Sequence, residues 1–457
     1  MKILKLIVVI VLVAAIAVAG AVIGVELKND EADTDTDVLA ELDEAMFAEV
    51  YPDYKTEVYL DKGDDPDLNE LGLFWCRYDP VTHDVEWVPA DTAEGAALVD
   101  TSKPTVINVH GMMMDGYINT EKYYVNTDIG NLEELGLDEE DGWDYDTLRT
   151  LALWLEKGWN VGVYNWHRFT AESVNFTAIE AKVWATNGSA NVRWCSSDGR
   201  YHNDPIEYSV AELFVGDYLR AIELLPDDYG KEEIRFTGHS MGGELVSAAA
   251  FLLYEISTGD SPQISADKLP DRMTMDDTFF GAFLEVGDLV LDMAERGLTV
   301  RWSGKPMPGD RAGRAVVEAL RYLSVKGVVI DYYSYDGSPL HLALNAEDRG
   351  LLLDSVAYVL MDPLYNAPGY GDYTKSISEA HVAVRQYSQV SIMRDYPGGN
   401  LTDAEKIAYA DALPTAEMRS LTGKAFRMTA GASTVTTADD VYVEVSHEEV
   451  IERFSLA

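Results

Sequence analysis

The chain of 457 residues is long enough for one large domain with insertions or for two to three ordinary ones. Its 47% apolar and 25% charged residues exclude collagen-like, coiled-coil and wholly disordered chains. With 35 Lys and Arg against 79 Asp and Glu, the net charge of −44 repels phosphates and excludes sequence-independent nucleic-acid binding; it fits a salt-tolerant or an acidic secreted protein.

Two lysines in Met1–Lys5 precede the uncharged, apolar run of 20 residues Leu6–Val25. This is an export signal. The run exceeds the roughly 7–15 residues of a signal-peptide core and just reaches the length that spans a bilayer, while Ala17-Val18-Ala19 offers a small-residue cleavage site. Residues 1–25 are therefore expected to act as a cleaved signal peptide or a retained membrane anchor. Either outcome makes the protein secreted or anchored at the extracellular side of the membrane. Residues 26–50 read as an acidic linker and residues 51–457 as the folded body.

Along the body, apolar runs alternate with amphipathic stretches, the pattern of an α/β fold. Buried parallel strands are expected at Thr105–Val109, Asn160–Asn165, Glu233–Thr237 and Gly327–Tyr335, each β-branched or aromatic and bounded by Gly or polar turns. Helices are expected at Leu148–Lys157, Ala178–Ala185, Val210–Leu225, Gly242–Ile256 and Arg311–Lys326, with an antiparallel edge from Thr56 to Val88. The longer connections at about 115–146 and 282–309 are where insertions, a lid or a cap would sit. Two cysteines, Cys76 and Cys195, allow one bridge or two buried thiols and no four-ligand zinc site. Asn175, Asn187 and Asn400 lie in glycosylation sequons.

Gly238-His239-Ser240-Met241-Gly242-Gly243 follows the strand Ile234-Arg235-Phe236-Thr237 and opens an Ala-rich helix. A G-x-S-x-G turn in this setting exposes the serine hydroxyl above the strand ends, because flanking glycines leave room for a very tight bend. Ser240 is thus the candidate nucleophile. The Met241 N–H, at the helix N-terminus, supplies one oxyanion donor. A second is expected from the loop after an earlier strand, Val106-Ile107-Asn108-Val109-His110-Gly111-Met112, where the Met112 N–H fits and His110 buttresses the loop.

These motifs, with Val161-Gly162-Val163-Tyr164-Asn165-Trp166 and Leu269–Asp276, make the chain resemble the α/β-hydrolase fold and its secreted lipase-like branch over about residues 104–385. The resemblance implies a mostly parallel central sheet with helices on both faces. It also implies a catalytic order of Ser, then Asp or Glu, then His. In lipase-like relatives the acid often closes the strand after the nucleophile helix, which selects Asp276, 36 residues after Ser240. Asp277 stands where the family usually has proline, so the neighbouring carboxylate is open to the same role; Asp336 and Asp362 are competing placements. For the base the resemblance selects His381, ahead of His447 and His341, whereas His239 is assigned to packing.

The function implied is hydrolysis of carboxylic esters, of lipids or other acyl compounds, through an acyl-enzyme and without a cofactor. Amidase and peptidase chemistry use the same machinery. The alternative from another class is a catalytically silent hydrolase fold that binds or adheres to a partner. A metal-dependent hydrolase is disfavoured, since no H-E-x-x-H pattern occurs and Asp138–Asp141 reads as a solvated loop. Structural calcium on so acidic a surface is compatible with the composition.

Overall fold

The computed structural model describes residues 51–112, 150–281, 312–362 and 380–455, apart from short breaks within these spans. The expected signal or anchor at 1–25, the linker at 26–50, the insertions at 115–146 and 282–309, and Asp336, Asn175 and Asn187 all lie outside the described residues. Among the described residues, no helix is long and apolar enough to cross a membrane.

Ten strands form one sheet: β1 (Gly72–Tyr78), β2 (Val85–Pro89), β3 (Thr105–Val109), β4 (Asn160–Asn165), β7 (Ile234–His239), β8 (Arg272–Asp276), β9 (Val329–Tyr335), β10 (Ala357–Asp362), β11 (Ala425–Thr429) and β12 (Val441–Val445). A separate two-stranded ribbon pairs β5 (Trp194–Cys195) with β6 (Tyr201–His202). The order across the large sheet is β12-β11-β10-β9-β8-β7-β3-β4-β1-β2. From β4 to β11 every neighbouring pair is parallel, while the β1–β2 hairpin caps one edge and β12 the other, both antiparallel.

Every residue of β3, β4, β8 and β9 is buried, as parallel strands covered on both faces require. Side chains alternate between two cores. Ile107, Tyr164, Ile330 and Tyr332 join the larger core beneath the helices α2 (Phe176–Trp184), α3 (Val210–Glu223), α4 (Met241–Ile256), α5 (Ala312–Val325) and α6 (Ala346–Ser355). On the other face, Val106, Val161 and Val163 pack with α1 (Thr150–Glu156), and Val329, Tyr333 and Tyr335 pack under parts of the 380–421 segment. Helix α4 lies centrally, against α2, α3 and α5. Local chemistry fixes the helix starts. Ser209 accepts the Glu212 N–H at 3.2 Å while Glu212 accepts the Ser209 N–H at 2.8 Å, a reciprocal cap on α3 that Asn345 and Asp348 repeat on α6.

The four expected strands and five expected helices all occur, with ends displaced by a few residues. The sheet itself reaches beyond the span of the resemblance, from Gly72 to Val445. Cys76 and Cys195 are both buried free thiols, so no bridge joins them.

Candidate active site

Strand β7 ends in a bend at Ser240, whose φ of 57° and ψ of −128° lie where an L-residue is strained. The bend is held on all sides. The Ser240 N–H donates to Asp276 O at 2.9 Å, and its carbonyl accepts from the Gly243 and Phe279 N–H groups at 3.0 and 3.2 Å. Two of the glycines are sterically required. A Cβ on Gly238 would lie 2.5 Å from Gly242 O, and one on Gly242 would lie 2.4 Å from Val109 O and 2.5 Å from His110 O. The start of α4 therefore sits directly on the end of β3. This contact brings the Gly111–Met112 backbone beside the bend, with the Met112 side chain packed against the core. Ser240 is only partly buried, whereas Met241 is enclosed.

His110 fixes the β3 loop from inside. Its Nδ1–H donates to Gly111 O at 2.7 Å and its Nε2 accepts the Trp166 N–H at 3.2 Å. The Trp166 indole donates to His110 O at 2.8 Å. Burial pushes the His110 pKa down to about 3, so the ring stays neutral in this role.

The carboxylate beside His381 lies one residue beyond the expected position. Asp276 is the last residue of β8 and its carboxyl is buried on the face of Asp331 and Asp411. Burial, reinforced by those two carboxylates, holds it well above the usual range, and among the described residues its Oδ1 has no hydrogen-bond partner. Asp277 follows with a φ of 41°, and its N–H donates to Tyr333 O at 2.7 Å. That turn redirects the side chain. Asp277 Oδ2 accepts the His381 Nδ1–H at 2.6 Å, and this contact defines the tautomer that leaves His381 Nε2 as the acceptor. The carboxylate that meets His381 is thus Asp277, whereas Asp276, the expected acid, makes no such contact among the described residues. Consecutive residues at a strand end project to opposite faces, and the left-handed turn falls after the strand.

His381 occupies a short helical turn with Ala380, its side chain 19% exposed. Its ring stacks on His239, 4.3 Å between centroids, and the His239 Nε2–H donates to the His381 carbonyl at 3.2 Å. His239 is kept neutral first by burial and then by the nearby His381 and Arg385. Among the described residues, no hydrogen bond joins the Ser240 hydroxyl to His381.

The other candidates are occupied elsewhere. His341 is buried behind Asp277, its Nε2 2.6 Å from the Tyr332 hydroxyl and 4.0 Å from Asp277 Oδ1; burial presses its pKa to about 4. His447 opens α7 (His447–Ser455) and donates from Nε2 to Gly423 O at 3.0 Å. Gly423 lies before β11, at the edge of the parallel sheet opposite Ser240. Asp362 ends β10, in register with Thr429 and two strands from β8. Two groups near the site were not anticipated, the Ser334 and Ser338 hydroxyls on Asp277, while His239 packs under the His381 ring. The advance sign for Asp277 was the Asp276-Asp277 doublet itself. Among the described residues, no three His, Cys, Asp or Glu side chains group as metal ligands.

The strand order, the parallel core and a strained serine between β7 and α4 define an α/β-hydrolase fold. No protein-family model matches the chain, and no curated protein matches it. Three solved structures show weak similarity. A carboxylesterase of the ammonia-oxidizing thaumarchaeon Nitrososphaera gargenis is 13% identical with a TM-score of 0.28, over 63% of this chain and 86% of its own. MenH from S. aureus is 12% identical with a TM-score of 0.26, over 63% and 94%. A prohormone-processing carboxypeptidase from Saccharomyces cerevisiae is 9% identical with a TM-score of 0.30, over 65% and 74%. Likenesses this distant leave activity to the site itself.

Proposed function

We propose that the protein is a serine hydrolase that cleaves carboxylic esters, of lipids or other acyl compounds, through a covalent acyl-enzyme. Ser240 is the nucleophile, His381 the general base and Asp277 the acid that orients it. The observation that carries the reading is the 2.6 Å contact of His381 Nδ1 with the buried Asp277 carboxylate, with the His381 ring stacked on His239, the residue before Ser240.

In this mechanism His381 Nε2 takes the Ser240 proton as Oγ attacks the ester carbonyl carbon. Negative charge gathers on the carbonyl oxygen, where the Met241 and Met112 N–H groups receive it; such a donor typically contributes roughly 10²–10³ in rate. The C–O bond to the alcohol then breaks, and the alcohol leaves with the proton from His381. Water next gives a proton to His381 and attacks the acyl-serine. The carboxylic acid is released and Ser240 regains its proton. The charged and apolar N-terminus supports export, which would place this chemistry outside the cell or on its outer surface.

A fluorophosphonate probe tests the reading. The expected result is stoichiometric labelling of wild-type protein and none of Ser240→Ala. Folded wild-type protein that neither labels nor hydrolyses short-chain p-nitrophenyl esters would point to the silent binding or adhesion role instead.

A further inference from the structure

We propose that Ser334 and Ser338 are positioning residues: they clamp the Asp277 carboxylate through hydroxyl hydrogen bonds and so set the His381 ring. The inference rests on the triad reading above, and it concerns how that site is held in register.

Asp277 is fully buried, and a buried carboxylate needs donors for its lone pairs. Among the described residues no Lys or Arg lies within ion-pair distance of it; its charged-group neighbours are His381 at 2.6 Å and the distant His341 at 4.0 Å. Two neutral hydroxyls fill the place a guanidinium would otherwise take. Ser334 Oγ–H donates to Oδ1 at 3.0 Å, and Ser338 Oγ–H donates to Oδ2 at 3.3 Å, the oxygen that also receives His381. Both serines are completely buried.

All of the support comes from one strand end. Strand β9 receives the Asp277 N–H through Tyr333 O at 2.7 Å and supplies Ser334. The Ser338 N–H donates back to Tyr335 O at 3.1 Å, closing the turn that carries the second hydroxyl. Between β8 and β10, β9 has no freedom to drift. An acid placed one residue past its own strand, in a left-handed conformation, is thereby fixed by its neighbour. The His341 ring, kept neutral by burial and 2.6 Å from the Tyr332 hydroxyl, lies 4.0 Å behind the same carboxylate.

The test uses the full chain with Ser334→Ala, Ser338→Ala and Ser338→Thr, assayed on p-nitrophenyl butyrate, with thermal unfolding to establish that each variant is folded. Loss of either hydroxyl is expected to lower kcat about tenfold with KM unchanged, the scale of one hydrogen bond to a charged group. Without the hydroxyls the carboxylate would hold the imidazolium proton harder, so the acid limb of the kcat/KM profile should move to higher pH. Ser338→Thr, which keeps the hydroxyl, should restore both. A readout independent of turnover is the downfield proton resonance of His381 Nδ1–H, expected to be sharp in wild type and lost or exchange-broadened in Ser334→Ala. Folded alanine variants with wild-type kcat, pH profile and resonance would overturn the clamp. Wild-type protein that is inactive, but whose resonance still depends on Ser334, would overturn the activity and leave the clamp standing.

Discussion

Two clusters of buried acids, one on each face of the sheet, are held in different ways. Beneath the 380–421 segment three carboxylates are matched with arginines, Arg272 Nε donating to Asp331 at 2.6 Å and Arg235 reaching Glu233 at 2.8 Å and Asp411 at 3.3 Å, while the neighbouring Asp276 has no such match among the described residues. Burial opposes ionisation of Glu233, yet the Arg235 and Arg272 guanidiniums outweigh it and hold its carboxyl below the usual range. Beneath α2 and α4 there is no such match. Glu180 and Glu244 are buried near each other, with no cation paired to either among the described residues. Burial and then Glu244 drive Glu180 well above the ordinary carboxyl range, and burial pushes Glu244 up to about 8 against the Trp184 indole, which donates to it at 2.5 Å. Asp277 follows a third course, with hydroxyls and an imidazole as its donors. Glu233 is thus shifted down and Glu180 and Glu244 up according to the groups around them, so depth alone does not set the direction.

The contrast at the end of β8 predicts the largest effect. Asp277→Asn should cut kcat on a short-chain ester by about 10⁴, the scale for losing the residue that sets the tautomer, while Asp276→Asn should change it less than about tenfold. Steady-state kinetics on the two variants would decide the matter, and the reverse ranking would return the acid to Asp276. On stability, Arg272→Met strands Asp331 in the interior, and urea unfolding should show a loss of about 3–5 kcal/mol.

A smaller effect should come from the unmatched pair, and it depends on pH. The folded pKa of Glu244, about 8, lies above its ordinary value of 4.5. Protonation is therefore favoured by folding: the contribution is complete below pH 4.5 and is lost as pH rises through about 8. Glu244→Gln keeps an acceptor for Trp184 and removes the titration. Urea midpoints measured from pH 5 to 9 should fall for wild type and fall less steeply for the variant, in which the buried Glu180 still titrates, a difference on the order of 1–3 kcal/mol at the alkaline end. Parallel curves would mean that the pair has a partner at high pH.

What the sequence made legible was the local part of this architecture. The bend at Ser240 is written within six consecutive residues, Gly238–Gly243, because its steric demands fall on neighbours along the chain. The choice between Asp276 and Asp277 depends on where β8 stops and on one positive φ, a phase of a single residue that composition does not encode. Ser334 sits in Tyr-Ser-Tyr, which reads as plain strand; its role appears only when β9 is laid beside β8. Strands β10 to β12 add the remaining width. β12 is partly exposed, with Val441 at 59%, so its alternation carries little burial signal, and the 380–421 cover lacks a sustained helical period.

The surface gives the smallest predicted effect and the sharpest control for the interior. Lys157 pairs with Asp395 at 2.7 Å, but the aspartate side chain is 95% exposed, so water and salt compete for both partners. Lys157→Ala should leave the urea midpoint unchanged within error. Removing a positive charge from a chain of net −44 adds only slightly to a general self-repulsion, which 1 M NaCl shortens to a range of about 3 Å. Added salt should therefore raise the unfolding midpoints of wild type and Lys157→Ala together, while the deficit of Arg272→Met persists, because counterions do not reach a fully buried pair. If salt instead rescued Arg272→Met, the arginine would be acting through the overall field of the protein, and the distinction between matched and unmatched clusters would have to be redrawn in terms of net charge.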